Sequence, residues 1–126
     1  MIIKLSTDGS ITRHEFPKGD WQDRHKVLTT LIGPECDLVE RVTPMGLYRV
    51  FGGPFRKGEV VMLVDESGWY HDLKANGKAG KMYGSFIMGD VLFVGECDTG
   101  DGPDFTGLTP EQAARLESYL TAISLS

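Results

Sequence analysis

Residues 59–65, which read Glu-Val-Val-Met-Leu-Val-Asp, are the stretch of the sequence that decides the fold. The run from Val60 to Val64 contains no polar position, which is the pattern of a central strand covered on both faces. The segment 90–96 carries a similar run, Val-Leu-Phe-Val at residues 91–94. We therefore predict two buried strands, at residues 59–65 and 90–96.

Four more strands are predicted closer to the N-terminus. Residues 2–6 and 10–16 are short apolar or alternating runs on either side of Asp8-Gly9, and Asp-Gly between two such runs is a strong hairpin signal. Residues 36–42 and 47–51 also read as strands, divided by a turn that contains Pro44. The sequence thus predicts a mixed, mainly antiparallel sheet of about six strands.

Two segments show clear helical periodicity, and a third segment shows a weaker helix signal. In residues 20–32 the apolar positions fall three and four apart, with Asp20 as the N-cap and Gly33 at the stop. Residues 110–124 follow a dense start signal, in which Thr109 is the N-cap and Gln112 completes a capping box. Residues 76–83 predict a third helix with Asn76 as its N-cap. We expect this helix to be marginal, because internal glycines cost about 1 kcal/mol each relative to alanine.

These elements predict an α+β protein with two or three helices and a single compact domain over residues 1–126. The chain is 40% apolar and 25% charged, which is typical of a globular domain. It has only two cysteines, Cys36 and Cys97, which is too few for a disulfide framework, and we expect both to be buried thiols.

Net charge and hydropathy limit the kinds of partner that the protein can bind and the cellular compartment in which we expect it. The net charge of −5 argues against extended contact with nucleic acid and suits a partner with a basic surface. The N-terminal apolar run turns polar at Ser6, and no run approaches the roughly 20 apolar residues of a membrane span. We therefore expect a cytoplasmic protein without membrane contact.

The order of the segments resembles domain-of-unknown-function family 3846, a family of small proteins from phages, plasmids and actinobacteria. Four segments match in order. The first is residues 31–33 followed by Cys36, Asp37 and Val39, and the second is Val-Asp-Glu-Ser-Gly at 64–68 followed by Leu73 and Asn76. The third is residues 89–92 with 94–95, and the fourth is Leu108-Thr109. The resemblance implies a phage or mobile-element origin and a compact α+β fold. It supplies no catalytic residues.

The segment from Lys74 to Gly84 is the candidate binding site. A glycine-rich turn that leads into a helix offers free backbone N–H groups to an anion, and lysines lie beside it. The spacing matches neither a Walker sequence nor a dinucleotide fingerprint. A solvated turn with solubilising lysines is the alternative interpretation. The predicted ligand-binding residues are Lys74, Asn76, Lys78, Gly80, Lys81 and Tyr83, and Trp69, Tyr70 and Tyr83 are candidates for stacking or core packing.

Three other groups of residues could carry chemistry, and each has a simpler interpretation. Asp65 and Glu66 could hold a metal ion or act as acid and base, but Asp-Glu-Ser-Gly is also an ordinary turn. The loop carboxylates lack the spacing of a calcium loop, and the histidines lack zinc-ligand spacing. The residues concerned are Asp98, Asp101 and Asp104 for calcium, and His14, His25 and His71 with Cys36 and Cys97 for zinc.

These observations favour a non-enzymatic phage or mobile-element accessory protein that binds a small anionic, nucleotide-type ligand in counter-defence. A protein-binding module that inhibits or modulates a host enzyme, through its free sheet edges, is the alternative. A small hydrolase or metal-dependent enzyme would rest only on Asp65 and Glu66. No cofactor is expected, and a homodimer would suit a site built between two copies.

Overall fold

A six-stranded antiparallel sheet forms the middle layer of the fold, in a computed structural model that describes residues 1–51, 60–98 and 103–124. Helices cover both of its faces. The strands are β1 (Ile2–Leu5), β2 (Ile11–His14), β3 (Val39–Val42), β4 (Val60–Asp65), β5 (Val91–Asp98) and β6 (Pro103–Thr106). The helices are α1 (Trp21–Ile32), α2 (Met45–Phe51), α3 (Gly77–Tyr83) and α4 (Pro110–Ala122). This confirms the predicted α+β class, with six strands and four helices in the described residues.

The strand order is β2-β1-β5-β4-β3, and β6 pairs with the far half of β5. Gly95 of β5 pairs with Val60 on one side and with Thr106 on the other. Strand β6 therefore continues the position of β1, and Leu108 N donates to Met1 O at 2.7 Å where the two chain segments meet. Every pairing between described strands is antiparallel.

The two central strands separate two hydrophobic cores. Along β4, Val60, Met62 and Val64 point to the core that holds α2, α3 and α4, whereas Val61 and Leu63 point to the core beneath α1. Successive residues of a strand face opposite sides, so residues 60–64, with helices on both faces, are apolar at every position. The prediction of a central strand at residues 59–65 is confirmed for the described residues 60–65.

The predicted strand at residues 47–51 is wrong, because these residues lie in helix α2. A short apolar run does not distinguish a strand from a buried helix by periodicity. Here Leu47 N donates to Pro44 O at 3.0 Å, which starts the first turn, and Leu47 then packs into the core shared with α3 and α4. The sixth strand is instead β6, in a segment whose turn residues predicted only a loop.

The predicted helix starts are confirmed at all three caps. The Asp20 side chain accepts from Asp23 N, the Asn76 side chain accepts from Ala79 N, and Thr109 and Gln112 form the full capping box. In the ranges that the structure describes, none of the helices is both long enough and apolar enough to cross a membrane.

The two cysteines are free thiols, as predicted. Cys36 is buried, whereas Cys97 is only partly buried. Burial, together with the negative charges of Asp65 and Asp37, raises the pKa of Cys36 to about 11. The Cys36 thiol is therefore neutral at physiological pH, which fits its packing beneath α1.

Candidate functional site: two pockets that share Phe86

Asn76 joins the start of α3 to the sheet. Its side chain is buried, and Nδ2 donates to Leu5 O at 3.1 Å and to Gly89 O at 3.0 Å. Its Oδ1 accepts from Ala79 N at 3.2 Å. The side-chain amide of Asn76 is thus bound to three backbone groups, and its role in this geometry is to hold α3 against β1 and the start of β5.

The lysines of α3 point to the end of α4. Lys78 is buried, and its Nζ donates to Leu120 O at 2.8 Å. Lys81 Nζ donates to Ser124 O, just past the same helix. The last carbonyls of a helix have no intrahelical donors and carry partial negative charge, so the ammonium group of Lys78 is well placed to stabilise the end of α4. Lys74 lies outside α3 and is exposed.

A cavity of about 430 Å³ lies against α3, and we call it the α3 pocket. Three of the predicted ligand-binding residues, Asn76, Gly80 and Lys81, line it. Its remaining lining consists of Ala75, Gly77, Gly84, Ser85, Phe86 and Ile87. The glycines at 77, 80 and 84 are spaced three and four apart, so they share one face of the helix and place no side chain on it.

Two of these glycines also have a role in the fold. A Cβ on Gly80 would lie 3.1 Å from Ser85 O, which is closer than ordinary packing allows. Gly84 ends α3 with a left-handed φ of +89°, and its N–H donates to Gly80 O. The segment that follows α3 therefore turns back across the glycine face, and this return brings Phe86 to the pocket.

A second cavity of about 180 Å³ lies beside the edge strand β3, and we call it the β3 pocket. Tyr83, which the sequence placed in the candidate site, lines this cavity and not the α3 pocket. The other lining residues are Glu40, Val42, Val64, Asp65, Glu66, Gly68, Trp69, Phe86, Ile87 and Met88. Phe86 and Ile87 therefore form a wall that the two pockets share.

Exposed aromatic side chains stand over the β3 pocket. Trp69 is 69% exposed and Phe86 is 73% exposed. Their rings meet edge to face, with centroids 6.4 Å apart and an interplanar angle of 80°. Tyr83 is partly exposed beside them, and Tyr70 is almost fully exposed. Large apolar side chains of this kind, held together at the surface, are typical of binding sites.

Asp65 and Glu66 have different surroundings, one buried and hydrogen-bonded and the other exposed. The buried carboxylate of Asp65 accepts from Ser67 N at 2.9 Å, and its other oxygen lies 2.6 Å from His71 Nδ1. The hydrogen bond to Asp65 raises the pKa of His71, and burial opposes that shift. Glu66 is exposed. The arrangement anchors the loop after β4, as the turn interpretation of Asp-Glu-Ser-Gly predicts.

The other candidate ligands do not converge in the described residues. Asp101 lies outside them, as does the side chain of Asp98, and Asp104 pairs with Arg24 at 2.9 Å. Across residues 1–51, 60–98 and 103–124, no group of three or more His, Cys, Asp or Glu side chains is placed to hold a metal ion.

The family model described as domain of unknown function (DUF3846) matches residues 35–121. The chain belongs to this family. The DUF3846 region begins before β3 and ends within α4, so it contains every described residue that lines the α3 pocket or the β3 pocket. No curated protein and no solved structure matches the chain.

Sequence reasoning found the α3 segment but did not include Ser85, Phe86 or Ile87 in the DUF3846 site. A lone aromatic residue after Gly84 gives no periodic signal, and only the turn at Gly84 brings Phe86 back to the pocket. Whether Lys74, Asn76, Lys78, Gly80, Lys81 and Tyr83 bind a ligand stays a prediction.

Proposed function

We propose that this protein is a non-enzymatic binding protein that takes a small ligand with a flat ring and an anionic group in the α3 pocket. The observation that carries the proposal is the position and size of this cavity. It lies on the glycine-rich segment singled out from the sequence, and about 430 Å³ falls within the roughly 300–1,000 Å³ typical of small-molecule sites.

The lining of the α3 pocket supports this class of ligand. Phe86 offers an aromatic surface on which a ring can stack, and the glycine face of α3 allows the ligand close to the backbone. Among the described lining residues, Lys81 is the charged one. Its ammonium group brings positive charge to the lining, which suits an anionic group on the ligand.

Binding, and not catalysis, is proposed because two polar residues of the predicted site, Asn76 and Lys78, serve the fold. Asn76 uses its side-chain amide on three backbone groups. Lys78 is bound to Leu120 O and does not line the pocket. In the biological setting that we propose, a phage or other mobile element supplies the protein to the host cytoplasm, where it sequesters a nucleotide signal of bacterial defence.

Analysis of co-purified small molecules tests the proposal. The purified protein is heat-denatured, and the supernatant is compared by mass spectrometry with a mock purification. We expect a species with a ring and a phosphate or carboxylate group, present in proportion to the protein. A supernatant identical to the mock, combined with no thermal stabilisation of the protein by any member of a nucleotide panel, would contradict the proposal.

A protein-binding module is the second candidate, and the exposed aromatic group at Trp69, Tyr70 and Phe86 favours it. Trp and Tyr are enriched among the residues that dominate protein interfaces. Strands β2 and β3 also end the described sheet, and an edge strand can pair with an extended segment of a partner. A host enzyme or a second copy of this chain would fit such a surface. Affinity purification from host lysate, with wild-type and Trp69→Ala proteins as baits, tests this: a specific partner is retained by the wild type and lost with the variant.

A further inference from the structure

The β3 pocket combines aromatic walls with carboxylates, and it differs in charge from the α3 pocket. Glu40 pairs with Val64 across the β3–β4 ladder, so both side chains lie on the same face of the sheet. Glu66, in the turn directly after β4, lines the same cavity. The carboxylates of Glu40 and Glu66 therefore flank an apolar floor formed by Val42, Val64 and Ile87.

The negative charge at the β3 pocket is not neutralised by the described parts of the chain. Neither Glu40 nor Glu66 has a hydrogen bond or an ion pair from its side chain there, and no Lys, Arg or His of those parts lines the cavity. Asp65 also lines it, but its carboxylate is bound by His71 and Ser67. Within the part of the chain that the structure describes, the pocket thus presents two uncompensated carboxylates beside aromatic rings.

We propose that the β3 pocket binds an arginine side chain of a protein partner. A cation is attracted to the π-electrons of Trp, Tyr and Phe rings, and to carboxylates nearby. Guanidinium is favoured over ammonium because it is planar, weakly hydrated, able to stack on an aromatic ring and able to bind a carboxylate through two parallel hydrogen bonds. A water molecule takes about 30 Å³ of liquid volume, so a cavity of about 180 Å³ has room for a guanidinium group and the methylenes next to it.

The position of the pocket indicates that the arginine belongs to a polypeptide. The cavity adjoins β3, which ends the described sheet, and the exposed side chains of Trp69 and Phe86 line it. A partner segment could lie along β3 while its arginine enters the pocket. The net charge of −5 favours the approach of a basic partner. This inference is independent of the ligand proposed for the α3 pocket.

The test uses Trp69 as the reporter, in a Trp21→Phe background where it is the only tryptophan. The peptide acetyl-Gly-Arg-Gly-amide is titrated to its solubility limit at low ionic strength, and Trp69 emission is recorded. The matched probe replaces arginine with citrulline, which has the same shape without the charge. We expect saturable binding of the arginine peptide that is about tenfold tighter than binding of the citrulline peptide.

Two double variants separate a specific site from general attraction to an acidic protein. Glu40→Gln/Glu66→Gln should weaken arginine binding to the level of the citrulline peptide. Glu15→Gln/Glu111→Gln removes the same charge from exposed positions outside the pocket and should leave binding unchanged. Equal affinity for the two peptides, no binding of either, or equal losses in the two double variants would overturn the proposal. Circular dichroism of each variant confirms that it is folded.

Discussion

Replacing Asn76 with alanine should destabilise the protein far more than the removal of an ordinary, exposed helix cap would. The substitution removes three hydrogen bonds and leaves Leu5 O, Gly89 O and Ala79 N without the side chain that binds them. Each such bond contributes about 1 kcal/mol net, and an unsatisfied buried group adds to the loss. We therefore expect the free energy of unfolding to fall by at least about 3 kcal/mol, which is a large part of the roughly 6–19 kcal/mol that a chain of this size has.

Urea unfolding followed by circular dichroism measures this change, and Thr109→Ala is the matched control. Thr109 caps α4 at an exposed position, so its loss should cost only about 1 kcal/mol. Asn76→Asp retains an acceptor for Ala79 N but presents a carboxylate to two carbonyl oxygens, so it should be at least as destabilising as Asn76→Ala at neutral pH. A loss in Asn76→Ala no larger than that in Thr109→Ala would refute the assignment of Asn76 as the link between α3 and the sheet.

Two further predictions concern the loop after β4 and the contact between Met1 and the segment at Gly107. Because Asp65 raises the pKa of His71 above its ordinary value of 6.5, the ion pair stabilises the fold fully below about pH 6.5, and this contribution is lost as the pH rises through the higher folded pKa. Histidine titrates roughly between pH 5.5 and 8.5. The difference in unfolding free energy between wild type and His71→Asn should therefore shrink across this range. A constant difference would show that the charge of His71 does not contribute to stability. Gly107→Ala should lower the free energy of unfolding by about 1–3 kcal/mol in a thermal unfolding scan, because its Cβ would overlap the backbone nitrogen of Met1. Gly33→Ala is the control: the site has open space and an extended backbone, so stability should change by less than about 0.5 kcal/mol. Equal losses of stability in the two variants would contradict this packing.

The fold could be predicted from sequence wherever one local signal was strong. The apolar run at Val60–Val64 and the capping residues Asp20, Asn76 and Thr109 each determine an element through contacts made within it or directly across the sheet. Helix α2 was missed because the apolar run at 47–51 is compatible with either a strand or a helix, and packing against α3 and α4 decides between them. Strand β6 was missed because it depends on the far half of β5 as a partner.

The candidate site could be predicted only in part, for a similar reason. Glycines and lysines drew attention to α3, but sequence spacing does not show which way a lysine points. Lys78 lies in the motif and yet binds the end of α4. Phe86 and Trp69 meet only because the chain reverses after Gly84 and the loop after β4 packs beside it, with Gly68 against Met88.

The claim that the α3 pocket binds a ring-bearing anion is tested most directly by isothermal titration calorimetry with adenosine 5′-monophosphate as the probe. Phe86→Ala removes the stacking surface and Lys81→Glu reverses the charge at the pocket, while Lys26→Glu makes the same charge change on α1, away from the cavity. We predict saturable binding that each pocket variant weakens about tenfold and that Lys26→Glu leaves unchanged. An affinity that is the same in the wild type and both pocket variants, or no heat of binding in the wild type, would contradict the account.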